Sequence, residues 1–252
     1  DSAQINNARL YLSRMLSDGG MYGEAKRLLK RVDTTDRPQI DMFCYYGLCQ
    51  TLMRIQRDVA APPQRKAFND SIRLYDRLSI QVLPRGSILR KRLDANAYNN
   101  AGNPQKALDL LLPEYEAGIE DTHVRALVAF SLSNIYKKLG DAERRKHYLI
   151  RAAADDLRTP VREGLALYHL AGLLLEEGDV ARANRYINCS MEDALYCNFR
   201  SRMQQSSEMV QHIGSAYIHT LDAKRRAMSY VSIAVSLLVV VLLGSFFTIL
   251  VY

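Results

Sequence analysis

Four glycines, Gly20 in DGGMYGEA, Gly102 in NAGNPQKA, Gly140 in KLGDAERR and Gly178 in EEGDVARA, each centre a polar turn between apolar-patterned stretches. Their separations are 82, 38 and 38 residues, so the first gap holds two units of 41. A period of this length marks a stacked array, in which each unit buries its apolar face only against its neighbours. The columns around the glycines define that face. Seven residues before them stand Ser13, Ala95, Ser133 and Ala171, all small. Four before stand Leu16, Tyr98, Tyr136 and Leu174, and nine after stand Leu29, Leu111, Leu149 and Ile187, all apolar. Five after come Ala25, Ala107, Arg145 and Ala183, with Arg145 the one departure. Small side chains are needed where two helices approach to about 8–10 Å, and large apolar ones where each helix faces its neighbour. The columns therefore predict antiparallel helix pairs.

This pattern resembles the tetratricopeptide repeat, a unit of about 34 residues with a small residue and then Tyr before its turn and Ala after it. The units here are longer, and the second has Pro62-Pro63 in place of a glycine turn. Asn103-Pro104 and Thr159-Pro160 read as cap-then-proline helix starts, and Asp141 and Asp179 as N-caps. The expected helices are 2–18 with 21–32, 38–58 with 64–83, 86–101 with 104–118, 121–139 with 141–156, and 160–177 with 179–195. The fold class is all-α: a tetratricopeptide-like helical-hairpin solenoid, then a long capping helix and one transmembrane helix.

After the array, Phe199, Met203, Val210, Ile213 and Tyr217 recur at spacings of four, seven, three and four. No glycine-centred turn or proline interrupts residues 198–224. One long helix with one apolar stripe follows, able to cap the last repeat, act as a lever or form a seam between two copies. No Lys, Arg, Asp or Glu occurs in residues 229–252. The run 231–252 is 22 residues, about 33 Å as a helix against a hydrocarbon core of about 30 Å. Lys224, Arg225 and Arg226 stand where headgroup anchors would, and Tyr230 and Tyr252 where interfacial aromatics would. Ser232 and Ser236, small residues four apart, together with the stripe offer a homodimer through the juxtamembrane and transmembrane helices. The expected organisation is a repeat domain over 1–197, a capping and juxtamembrane helix over 198–229, and a membrane span over 230–252.

The net charge of +7 would permit nucleic-acid contact. The basic residues, however, are spread along the repeats with no aromatic-interleaved basic face, so no nucleic-acid partner is expected for this segment. Cys44 with Cys49, and Cys189 with Cys197, lie within single expected helices. Their axial separations of about 8 and about 12 Å exclude disulfides, so buried free thiols are expected. The five histidines, His123, His147, His169, His212 and His219, show no paired-ligand spacing. With no phosphate-cradling loop or nucleophile elbow either, no metal, cofactor or catalysis is expected. Asp1 is not a start methionine and no charged-then-apolar leader follows it, so any signal peptide is expected to have been removed or to lie outside this sequence, and the chain to be a fragment.

Candidate binding residues fall on the first helices of the third and fourth units, which line the concave groove of tetratricopeptide domains. Asn96 and Asn134 both stand six residues before their glycine. The resemblance implies that this column hydrogen-bonds an extended peptide or its carboxylate. Arg92 lies one turn before Asn96, and Lys137 and Lys138 follow Asn134 on its helix, giving a cationic, amide-bearing strip.

A narrower resemblance rests on LYLSRMLSDGGMYGEA, VDTTDRPQ, AGNPQKALDLLL, AFSLSNIYKKLGD and LLLEEGDVARANRYINCSMEDALYCNFRSR, followed by the single span. These are similar to a Bacteroidetes-type family of membrane-anchored tetratricopeptide-repeat regulators, described as a domain of unknown function. The resemblance covers essentially the whole chain and is most specific over residues 173–202. It implies a periplasmic repeat domain, one span of the bacterial inner membrane, and a cytoplasmic continuation with a coiled coil and often a helix-turn-helix. The function implied is a sensor or transcriptional regulator that binds a peptide or protein partner and signals through the span. The basic triplet before the span favours the opposite orientation, a cytoplasmic, tail-anchored scaffold or assembly adaptor.

Overall fold

The computed structural model describes residues 2–35, 37–160 and 164–251, and the described residues contain helices and no strand. Five helical hairpins form in chain order: α1 (Ser2–Asp18) with α2 (Tyr22–Leu29), and α3 (Gln39–Val59) with α4 (Pro62–Val82). Next come α5 (Ile88–Asn100) with α6 (Pro104–Glu116), α7 (Thr122–Leu139) with α8 (Ala142–Asp156), and α9 (Leu165–Glu176) with α10 (Val180–Tyr196). A single helix, α11 (Arg200–Val251), follows.

The glycine register sets the hairpin turns through backbone chemistry. Gly20, Gly102, Gly140 and Gly178 take φ of 80, 83, 79 and 81°, the left-handed region that ends a helix at least cost when no Cβ is present. In each case the next residue donates its N–H to the carbonyl four residues before the glycine. The pairs are Met21 to Leu16 at 2.8 Å, Asn103 to Tyr98 at 2.9 Å, Asp141 to Tyr136 at 3.1 Å and Asp179 to Leu174 at 2.9 Å. Asp141 and Asp179 then cap the following helix, their carboxylates accepting from the backbone N–H of Arg144 and Arg182. Asn103 occupies the N-cap position of α6 without a side-chain hydrogen bond, and Pro104 begins the helix. In the second unit Ala60 and Ala61 are extended and Pro62 opens α4, so a proline start replaces the glycine stop.

The columns are the interior. Ser13, Ala95, Ser133 and Ala171 are all fully buried, as are Ala25, Ala107 and Ala183 and the large residues Leu111, Leu149 and Ile187. One core joins α1 to α4 through Leu10, Leu29, Leu48 and Leu52. A second fills α5 to α9 around Leu111, Leu132 and Ile135. A third joins α8 to α11 around Leu174, Ile187 and Ile213. All four cysteines are free, Cys49 buried and the others half-buried.

One expected boundary is corrected. The fifth pair does not open at Thr159-Pro160: α9 begins at Leu165, five residues later, behind Gly164 at φ 64°. Residues held outside right-handed helical geometry cannot be helix interior. Thr159 instead donates its hydroxyl to the Asp156 carbonyl at 2.8 Å. The Asp156 carboxylate accepts the Gly164 N–H, also at 2.8 Å, and Ser190 donates its hydroxyl to the Gly164 carbonyl. The chain thus enters α9 through a buried polar clasp. A Cβ on Gly164 would lie 3.2 Å from the Ser190 hydroxyl and 3.3 Å from its carbonyl, which explains the glycine twice over.

α11 packs on α9 and α10, with Ile213 the last fully buried of its described residues and Tyr217 and Thr220 beyond it half-buried. From Leu221 to Phe246 every side chain is exposed, including a continuous apolar run from Val231. An unbroken apolar helix of this length with none of its span buried is long enough to cross a membrane once.

Candidate functional site

The inner helices of successive hairpins, α3, α5, α7 and α9, line one groove. Around α5, α7 and α9 it encloses about 710 Å³, and all five expected residues border that volume: Arg92 and Asn96 from α5, and Asn134, Lys137 and Lys138 from α7. They meet because α5 and α7 are consecutive first helices of their hairpins, so residues at one offset from the glycine fall on one face. Asn96, Asn134, Lys137 and Lys138 make no side-chain hydrogen bond or ion pair among the described residues.

The groove continues toward the first units. A volume of about 920 Å³ is bounded by α3, α4 and α5, and shares Arg92, Asn96 and Asn100 with its neighbour. Gln50, Arg54, Arg73 and Arg77 border this part and were not among the expected residues. Their signal was hidden because the second unit has no glycine at its turn from which to count. Asn99, Asn100, His123, Phe130 and Asp156 also border the first volume. Asn99 and Asn100 could have been found from Asn96, three and four residues earlier on one helix face. His123 and Asp156 could not, since they come from the ends of other helices.

Charge in the groove is cationic at the α7 end. His169 of α9 lies against the Phe130 ring at 5.4 Å. Burial, then the positive charges of Lys137, Arg202 and Arg145, pull its basicity from 6.5 down to about 4. The imidazole is therefore neutral near pH 7, chiefly because it is buried and further because positive charges lie around it. Arg145, the departure from the alanine column, is one of those charges. The acid on this wall, Asp156, is already engaged with the Gly164 N–H. The α7 end thus offers hydrogen-bond donors and positive charge beside a channel open at the surface, whereas Asp70 and Asp76 border the part toward α3 and α4. Among the described residues no three His, Cys, Asp or Glu side chains gather as a metal site.

The expected anchors lie on α11. Lys224, Arg225, Arg226 and Tyr230 are exposed immediately before the apolar run. Tyr252 lies outside the described residues. Ser232 and Ser236 are exposed on the same helix.

Comparison with known proteins agrees with a tetratricopeptide-type fold. No curated protein matches the chain. The family description of the SusR N-terminal TPR domain matches residues 1–208, which takes in all five hairpins and the start of α11. The chain therefore belongs to the SusR N-terminal TPR domain family.

Proposed function

We propose that this chain is a membrane-anchored sensor or regulator, not an enzyme, whose groove binds a peptide or protein partner and whose single span passes the binding state to a region beyond the chain. The observation that carries this reading is the convergence of Arg92, Asn96, Asn134, Lys137 and Lys138 on one open channel. Side-chain amides at a regular helical offset match the alternating N–H and C=O groups of an extended main chain, and the cationic end suits a carboxylate. In this reading residues 1–197 recognise, 198–229 cap and transmit, and 230–252 span. The repeat domain faces the periplasm, and the exposed apolar run of α11, with Ser232 and Ser236, pairs two copies within the inner membrane.

The alternative is a scaffold or adaptor on the cytoplasmic face that gathers partners without transmitting anything. The triplet Lys224, Arg225 and Arg226 before the span supports that orientation. A topology reporter fused before Ser229 separates the two readings.

Binding is tested by panning the 252-residue chain, held in lipid nanodiscs, against a display library of random dodecapeptides. Selected peptides should lose about tenfold affinity or more with Asn96→Ala and with Asn134→Ala, the loss of roughly one charge-assisted or main-chain hydrogen bond. Failure to select any peptide, or selected peptides indifferent to Asn96, Asn134 and Arg92, would remove this reading.

A further inference from the structure

The first turn of the array touches the elbow that begins α11. Gly20, Gly102, Gly140 and Gly178 hold equivalent places and nearly equal φ. At the last three a Cβ would meet nothing within 4 Å. At Gly20 it would lie 2.4 Å from Cδ of Arg200 and 3.4 Å from its Nε and Nη1. At the adjacent Gly19 it would lie 3.1 Å from Nδ2 of Asn198. Arg200 is the first residue of α11, and Asn198, at φ 54°, is the one non-glycine with positive φ among the described residues. The elbow is thus bent at Asn198 and overlain by the hairpin from the far end of the chain.

The same two ends belong to separately packed bodies. The core of α1 to α4 shares no residue with the cores that fill α5 to α11. The bodies are joined in sequence at α4 and α5, which touch over a far shorter stretch than the helices within any hairpin. There Arg90 of α5 donates to the Ile80 carbonyl of α4. The 920 Å³ part of the groove lies across this joint.

We propose that the α1–α2 turn is a latch on the α10–α11 elbow: with Arg200 seated across Gly20 and Asn198 against Gly19, it closes the array into a ring. Opening at the α4–α5 joint and swinging of α11 about Asn198 then become one motion. Asn198 and Arg200 are both solvent-exposed, so the contact is light, as a reversible one must be. What occupies the groove across the joint would set how far the latch closes. This consequence rests on the sensor reading above; the latch itself does not.

The test is amide hydrogen exchange on the 252-residue chain in nanodiscs, with no ligand needed. Gly20→Ala places a methyl where Arg200 lies, while Gly102→Ala imposes the same left-handed strain in open space. We expect amides of residues 196–204 to exchange about tenfold faster in Gly20→Ala and at the wild-type rate in Gly102→Ala. Arg200→Ala, which leaves both glycines in place, should speed exchange at residues 17–21. Equal effects of the two glycine variants on 196–204, or no effect of Gly20→Ala there, would overturn the latch. Should Gly20→Ala unfold its hairpin, Arg200→Ala decides alone, and silence at 17–21 refutes the proposal. A failure of peptide panning leaves this result untouched, so the two readings fail separately.

Discussion

Removing Asp155 should destabilise the fourth hairpin by about 2–3 kcal/mol, and removing its partner Arg125 should cost more. Arg125, in the first turn of α7, donates from Nε to Oδ2 of Asp155 at 2.8 Å and from Nη2 to Oδ1 at 2.9 Å. Its third donor, Nη1, reaches the Ile119 carbonyl at 2.9 Å, tying down the loop before α7. The pair joins the end of the hairpin remote from Gly140, where no turn connects the helices. The Asp155 side chain is 7% exposed and that of Arg125 29%. Breaking a fully buried pair costs about 3–5 kcal/mol and an exposed one about 0–1 kcal/mol. In Asp155→Ala the half-exposed guanidinium regains water, so roughly half of the buried cost applies. In Arg125→Ala the buried carboxylate keeps, among the described residues, the ion pair with Arg158, 3.6 Å away and 71% exposed, so we expect about 3–4 kcal/mol. Arg125→Lys preserves charge but not the fork, for an intermediate loss of about 1–2 kcal/mol. Urea unfolding of the full chain followed by far-UV circular dichroism gives these values, provided that the slope is unchanged. If Asp155→Ala proves as costly as Arg125→Ala, or both fall below about 0.5 kcal/mol, the argument from unequal burial is wrong.

Three further outcomes follow from the same structure. His169, basicity pulled down to about 4 in the fold from 6.5, contributes stability that is complete above about pH 6.5 and is lost as the pH falls towards 4. Between pH 7.5 and 5 the wild type should therefore lose about 1–2 kcal/mol more than His169→Gln, allowing for partial solvent screening, as read from urea midpoints. Parallel pH curves would show that the imidazole is not held neutral by its surroundings. The Cys49 thiol, pushed up to about 11 chiefly by burial from an ordinary 9.0, should alkylate about a hundredfold more slowly than in the unfolded chain, measured by mass spectrometry with iodoacetamide. Equal rates would mean that α3 opens freely. Leu238→Arg, in the middle of the apolar run, should cost about 3 kcal/mol of insertion and shift the chain into the carbonate-extractable fraction; undiminished membrane retention would argue against a span there.

The fold was legible where a residue type answers to one backbone demand. Gly20, Gly102, Gly140 and Gly178 mark four left-handed stops, and counting from them finds the buried Ser13, Ala95, Ser133 and Ala171. The second unit resisted the count because its turn is made by extended Ala60 and Ala61 before Pro62, which carries no glycine signal. The start of α9 was misplaced for a different reason. Thr159-Pro160 has the local chemistry of a helix start, but the decisive groups, Asp156 and Ser190, come from α8 and α10 and act on Gly164 through space. The groove followed the same division: Asn96 and Asn134 share an offset from their glycines, whereas Gln50 and Arg54 sit in the unit whose turn has none. Nothing local to Gly20 distinguishes it from its three counterparts; only the folded chain brings Arg200 to it.

The junction of α10 and α11 is where the two halves of this architecture bear on each other. In a stack of hairpins each unit answers only to its neighbours, so a change in the groove has no path outward unless one element crosses several units or leaves the stack. α11 does the second: it packs on α9 and α10 of the last hairpin and then runs without proline or turn from Ile213 to the apolar segment. From Ile213 to Tyr230 a helix rises about 26 Å, so a tilt of 10° at the packed end would displace the membrane entry by roughly 4–5 Å, about one helical turn. Isolated helices bend gently, and sharp bends need proline, paired small residues or an inserted side chain. Gly214 is the one weak point in this stretch, since a glycine there costs about 1 kcal/mol of helix stability relative to alanine. Gly214→Ala should therefore leave the hairpins untouched while stiffening the rod, and a rod that transmits should respond more strongly. If Gly214→Pro, which kinks the same point, leaves a reporter joined beyond the span as responsive as the wild type, then α11 is a tether and the adaptor reading stands.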